Sequence, residues 1–156
     1  MAGRVTVAKD IKGERRGQRA ERAWRFTSAC GSGPCPTVAL VRRRTGGIDR
    51  LTLSLRSPGH YTGTGMFYAA LRCGGHRYNR GESVPFTITV TITGAQIVNG
   101  IDIATQVNAR YTNRTRKNRT RCVALPGHDA AVYIGLLLTL PPPTTGGASG
   151  QSPAGS

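Results

Sequence analysis

Residues 84–111 read VPFTITVTITGAQIVNGIDIATQVNARY, and the alternation in their first half decides the fold. Phe86, Ile88, Val90 and Ile92 alternate strictly with Thr87, Thr89, Thr91 and Thr93. Successive side chains of a strand point to opposite faces and β-branched residues favour that geometry, so the segment predicts a half-buried strand. Asn99-Gly100 supplies two residues that accept positive φ, as a type I′ turn demands. With those two as the loop, Val98 faces Ile101, Ile92 faces Val107, Val90 faces Ala109 and Ile88 faces Tyr111. The apolar set moves from even positions before the turn to odd positions after it, which a two-residue loop requires. Ile88, Val90 and Ile92 are therefore expected in the core, with the threonines more exposed.

Upstream of this hairpin the chain repeats the pattern in shorter form. Trp24 and Phe26 share one face of a strand, and the only tryptophan is read as a core anchor. Thr37–Arg44 and Arg50–Arg56 follow as strands, the latter with Leu51, Leu53 and Leu55 inward, separated by a Thr45-Gly46-Gly47 turn. Ser57-Pro58-Gly59 turns the chain again, and Tyr61–Gly65 is expected to bend as barrel corners and bulges do. Met66–Cys73 is a further strand, and Gly74–Gly81 a polar connection. Downstream, residues 112–122 (TNRTRKNRTRC) read as an exposed edge or loop, and Ala130–Leu140 as a buried closing strand. This is an all-β chain, an antiparallel β-barrel of about eight to ten short strands, with a β-sandwich as the alternative. The cysteine–tryptophan–cysteine order of immunoglobulin domains is absent, because Trp24 precedes every cysteine. The β domain is expected over 23–140. Residues 1–22 are expected to be a polar basic linker or spurious leader outside the fold, and 141–156 a disordered Pro/Gly/Ser/Thr-rich tail.

The 156 residues carry 22 Lys and Arg against 7 Asp and Glu, a net charge of +15, so attraction to polyanions follows. All but Lys9, Lys12 and Lys117 are arginines. The planar guanidinium fork suits phosphate. A GC-rich coding sequence produces the same bias without selection, and only position separates the two. Arg110, Arg114, Arg116, Lys117, Arg119 and Arg121 cluster in sequence, with Arg42, Arg43 and Arg44 as a second run. These nine form a candidate anion-binding patch, weighed against a charged sheet edge that resists aggregation. Aromatic residues are not interleaved with them, which argues against base stacking.

Trp24-x-Phe26, Cys30-Gly-Ser-Gly-Pro-Cys35, Tyr61-Thr-Gly63 and the later Cys73 and Cys122 resemble small extracytoplasmic β domains of actinobacteria. Such domains occur as secreted proteins, lipoproteins or the outer ends of membrane-anchored kinases. The resemblance implies an all-β fold and an extracytoplasmic or secreted location. Four cysteines point the same way, since an even number fits two disulfides, and Cys30–Cys35 and Cys73–Cys122 are the expected pairs. The first residues hold no apolar signal core and no stretch approaches the length of a membrane span, so a cytoplasmic, reduced protein is the alternative.

Other chemistries lack their residues. A zinc ribbon needs a second close cysteine pair, and CxxC redox chemistry two intervening residues rather than four. No G-x-S-x-G elbow, dinucleotide fingerprint or Walker loop is present. His60, His76 and His128 each follow a glycine and read as turn residues. No cofactor, metal or catalytic residue is expected. The sequence supports a non-enzymatic structural, sensory or interaction module. The alternative is a nucleic-acid or other polyanion-binding protein, and a small-molecule carrier in the barrel mouth is a third reading.

Overall fold

The computed structural model describes residues 1–11, 13–28, 30, 33–44, 46–123 and 127–137. Alternating patterns there produce β1 (Ala2–Lys9), β2 (Arg19–Glu21), β3 (Trp24–Ser28), β4 (Thr37–Arg44) and β5 (Gly47–Ser57). The series continues with β6 (His60–Cys73), β7 (His76–Val98), β8 (Ile101–Asn113), β9 (Lys117–Asn118) and β10 (His128–Leu136). They form one antiparallel sheet in the order β2-β1-β10-β8-β7-β6-β5-β4-β3, with β9 laid against β7.

The sheet curls into a barrel-like shell. Its two end strands, β2 and β3, are consecutive in the chain, so residues 22–23 bring the ends together without a ladder between them. The Met1 ammonium donates to Arg22 O at 2.7 Å, Arg22 N–H to Met1 O at 2.9 Å, and Arg43 N–H to Ala23 O at 3.0 Å. Trp24 of β3 lies 5.3 Å from the Tyr133 ring of β10, across the interior. The enclosed core joins Leu40, Leu53, Tyr61, Phe86, Ile88, Val90, Ala109, Tyr111, Ala131 and Tyr133.

The hairpin of β7 and β8 takes the register that its sequence dictates. Ile88 pairs with Tyr111, Val90 with Ala109, Ile92 with Val107 and Val98 with Ile101. Asn99 and Gly100 both have positive φ, 53° and 76°. Between Ile92 and Ala95 the ladder slips by one residue on each strand, and the two slips cancel before the turn. Ile88 and Val90 are buried, whereas Ile92 is only half-buried, because the hairpin leaves the barrel near this level. Ile97 at the tip is 74% exposed.

Three expectations are corrected. Residues 1–22 are not outside the fold, because β1 pairs with β10 along its whole length and β2 pairs with β1. Val5 enters the core, and Gly3 gives room to Tyr133, whose Cδ1 would lie 2.2 Å from any Cβ there. Gly74–Gly81 is not a loop: Gly74-Gly75 makes the turn and the chain continues at once as β7. Tyr61–Gly65 is not a break between strands but runs inside β6 in continuous register with β7, where Gly65 accommodates the Phe86 ring, 2.4 Å from a built Cβ, and the bulge falls on the neighbouring β5 between Leu55 and Ser57. The last two changes lengthen β6 and β7, and β6, β7 and β8 are long rather than short, at 14, 23 and 13 residues. Residues 138–140 of the expected closing strand and the 141–156 tail lie outside the described residues.

Candidate functional site

The nine basic side chains grouped by sequence do not share one surface. Alternation along β4 turns Leu40 and Arg42 inward and Arg43 outward. Inside the shell, Arg42 donates from Nε and Nη2 to Asp49 Oδ2 at 3.0 and 2.6 Å, and Arg44 Nε donates to Asp49 Oδ1 at 3.1 Å. The Arg42 guanidinium lies 4.5 Å from the Phe86 ring centroid and 4.8 Å from that of Tyr111, and Arg44 lies 4.1 Å from that of Phe67. Arg116 reaches Glu82 at 3.5 Å and Asp129 at 3.3 Å. A charge leaves water only when paired, so these three arginines belong to the architecture of the interior.

The same interior shifts its acids. Burial raises the Asp129 pKa, opposed by the Arg116 charge and by hydrogen bonds from Arg116 and Tyr111. Burial also raises Glu14, and the negative charge of Asp129 adds to that shift. Tyr111 is pushed up by burial and then by Asp129, which keeps its hydroxyl protonated and able to donate to that carboxylate.

The outer face of β8, β10, β1 and β2 is different. Ala109, Tyr111, Ala131 and Val5 point inward, which turns Arg110, Val132 and Arg4 outward. Register places Thr89, Arg110, Val132, Arg4 and Arg19 in one row across five strands. A β-bulge after Val5 resets the phase of β1, so Val7 joins Ala130 and Thr112 in the next row and Lys9 stands beside His128. Val7, Arg110, Thr112, Arg114, His128 and Ala130 line a shallow cleft of about 520 Å³. Asp129 also borders it, but that carboxylate is engaged by Arg116. Among the described residues, Arg4, Lys9, Arg19, Arg110 and Arg114 form no ion pair with a carboxylate. Arg4 stands directly opposite Arg19, an unfavourable pairing of like charges that an anion would relieve.

The remaining residues of the sequence-based patch lie elsewhere. Arg43, Lys117, Arg119 and Arg121 are exposed, Lys117 opposite Ser83 and Arg119 against Tyr68. Of the nine, Arg110 and Arg114 line one cleft, and Arg4, Lys9, Arg19 and His128 on the same face are not among them. The alternation of Arg4, Val5 and Thr6 is the signal that would have recovered the first of these. His60 donates to or accepts from Thr91 at 3.1 Å, and His76 packs on Tyr78, so neither histidine joins the cleft.

Both expected disulfides are present, Cys30–Cys35 with Cα atoms 5.6 Å apart and Cys73–Cys122 at 6.2 Å. No helix among the described residues is long and apolar enough to cross a membrane, and none of their His, Cys, Asp and Glu side chains gathers into a metal-holding group. Comparison of the chain with protein-family models, curated proteins and solved structures finds no match.

Proposed function

We propose that this protein is an extracytoplasmic binding module, not an enzyme, that holds polyanions on the outer face of β8, β10, β1 and β2. The observation that carries the reading is the row of Arg110, Arg4 and Arg19, cations with no ion-pair partner among the described residues, beside the Arg110–Arg114 cleft. Strand spacing of about 4.8 Å sets Arg110 and Arg4 roughly 10 Å apart across Val132, so a chain of repeating charges meets several guanidiniums at once. The hydroxyls of Thr89, opposite Arg110, and of Thr112 in the next row can donate to phosphate or sulfate oxygens. The two disulfides favour an oxidising compartment. The acids Asp49, Asp129 and Glu82 are each held by arginine, which suits them to structure rather than to proton transfer.

Binding of a single-stranded oligonucleotide and of an acidic polysaccharide, measured by fluorescence anisotropy across a salt series, tests this. The parent should bind with a steep negative salt slope, because each neutralised phosphate releases counterions. R110Q/R114Q should flatten that slope by about 0.7 per lost contact on a single strand. R72Q/R77Q removes the same charge at the far β6–β7 turn and should leave the slope close to the parent's. Equal effects of the two variants would reduce the binding to net charge and remove the assigned face. Sequence preference should be absent, since the contacts available are to the backbone.

A further inference from the structure

We infer that Tyr68, Arg80 and Arg119 form a second and separate anion site, a receptor for a single tetrahedral oxyanion ester that is assembled by the Cys73–Cys122 disulfide. Tyr68 lies on β6 opposite Ser83, which is in turn opposite Lys117 of β9. The Arg80 guanidinium carbon lies 3.9 Å from the Tyr68 ring centroid and that of Arg119 lies 4.8 Å from it. Two guanidiniums thus converge on one ring, and among the described residues neither has a carboxylate partner. Glu82, the acid on the same stretch of β7, is engaged by Arg116.

Stacking on an aromatic face leaves the edge of each guanidinium, with its N–H fork, free for oxygen. The hollow between Tyr68, Arg80 and Arg119 has a volume of about 320 Å³. Two like charges held close without a counter-ion repel, and a phosphate or sulfate group that accepts from both forks removes the repulsion and adds charge-assisted hydrogen bonds. The ring is already covered by guanidinium, so the ligand is recognised by its anionic head rather than by a stacked base.

Arg119 is delivered by a short strap after β9. Its N–H donates to Gly81 O at 2.8 Å, and Asn118 Oδ1 accepts from Thr120 N–H at 2.8 Å. Asn118 Nδ2 donates to Cys122 O, and Cys122 is bonded to Cys73 at the end of β6. Reduction removes the covalent end of this strap, and with it the fixed position of Arg119. Tyr68 is six residues along β6 from Thr62, which shares the row of Arg110, so about 20 Å separates the two sites at 3.3 Å per residue.

The test is an NMR titration of the oxidised full chain with inorganic phosphate and, separately, inorganic sulfate, against chloride at matched ionic strength. Saturable shifts at the amides of Tyr68, Gly81 and Arg119, absent with chloride, support the site. Tighter binding of inorganic phosphate as rising pH converts its monoanion to the dianion, the form a phosphate monoester presents above about pH 6, assigns a phosphate monoester, and equal binding of sulfate assigns any ester of that charge and shape. R80Q and R119Q should each weaken the affinity by about tenfold, with R110Q/R114Q unchanged. Reductant should abolish the saturable shifts while the β7–β8 ladder amides stay in place. Shifts that grow linearly with every salt, or R80Q and R119Q titrating like the parent, overturn the site. Unchanged affinity after reduction overturns the role of the disulfide. Polymer binding through Arg110 and Arg114 is read by separate probes and variants, so either proposal can fail alone.

Discussion

Arg42 on β4 and Arg110 on β8 carry the same side chain in one sheet, and their circumstances are opposite. Arg42 points into the shell, donates twice to Asp49 and lies against the rings of Phe86 and Tyr111. Arg110 points outward between Thr89 and Val132 and has no acidic partner among the described residues. The parity of a strand position decides which of the two an arginine becomes. A composition bias alone would scatter arginine over both faces. Each inward arginine described above has acquired an acid, whereas among the described residues the cations on the face of β8, β10, β1 and β2 have none. That asymmetry makes the inner set a scaffold and is the ground on which the outer set is proposed as a binding surface.

The largest expected effect tests the inner half of this contrast. Arg42→Ala leaves Asp49 buried with Arg44 alone, and breaking a buried pair costs about 3–5 kcal/mol, here toward the lower end. R110Q should move stability by no more than about 0.5 kcal/mol, as exposed substitutions do. R42M/D49L should recover most of the loss, because an apolar replacement of a whole buried pair is often neutral or better. Urea midpoints of the four proteins decide it, and equal losses for R42A and R110Q would erase the distinction between the two faces.

A second, somewhat smaller effect distinguishes barrel from hairpin tip within a single strand. Ile88 is fully buried, and Ile88→Ala should cost about 2–5 kcal/mol. Ile97 is 74% exposed, and the same substitution there should fall within about 0.5 kcal/mol. A large loss at Ile97 would show that the tip is covered in solution.

The legibility of the molecule follows the same division. The register of the β7–β8 hairpin was readable, since the apolar parity and the Asn99-Gly100 turn agree and both are local, whereas the half-burial of Ile92, the two cancelling slips and the start of β7 at His76 were not. The cysteine pairs were readable because one is short and only one partner remained for the other. β1 was not, because its core contribution is little more than Val5, and the apolar mass beside it belongs to Tyr133, 130 positions from Gly3. Tyr133 fills the space that Gly3 leaves, and no pattern within residues 1–22 records that. The inward Arg42 was hidden for a related reason. Arg42-Arg43-Arg44 reads as one basic run, and only Asp49, brought opposite Arg42 by the β4–β5 ladder, separates its members. The candidate site was therefore legible where it is contiguous, at Arg110 and Arg114, and hidden where strands from distant segments complete it.

The smallest expected effect concerns the acids of the interior, and its sign separates burial from pairing. Burial raises Asp129 above the ordinary aspartate range, and Arg116 and Tyr111 oppose the shift without cancelling it. The unfolded chain then releases this proton at a lower pH than the folded one. Between the two pKa values the unfolded state binds fewer protons, so stability falls as pH rises through the window and levels above the folded value. Asp129→Asn should remove that part of the decline, and Glu14→Gln should remove a further part, since Glu14 is raised by burial and by Asp129 itself. R110Q/R114Q should keep the slope of the parent, because the outer cations face water. Urea midpoints collected from about pH 3 to 7, around the ordinary carboxylate range, give the difference curve between parent and D129N. If that difference grows in favour of the parent with rising pH, Arg116 outweighs desolvation at Asp129, and the interior gains from its ion pairs more than burial costs it.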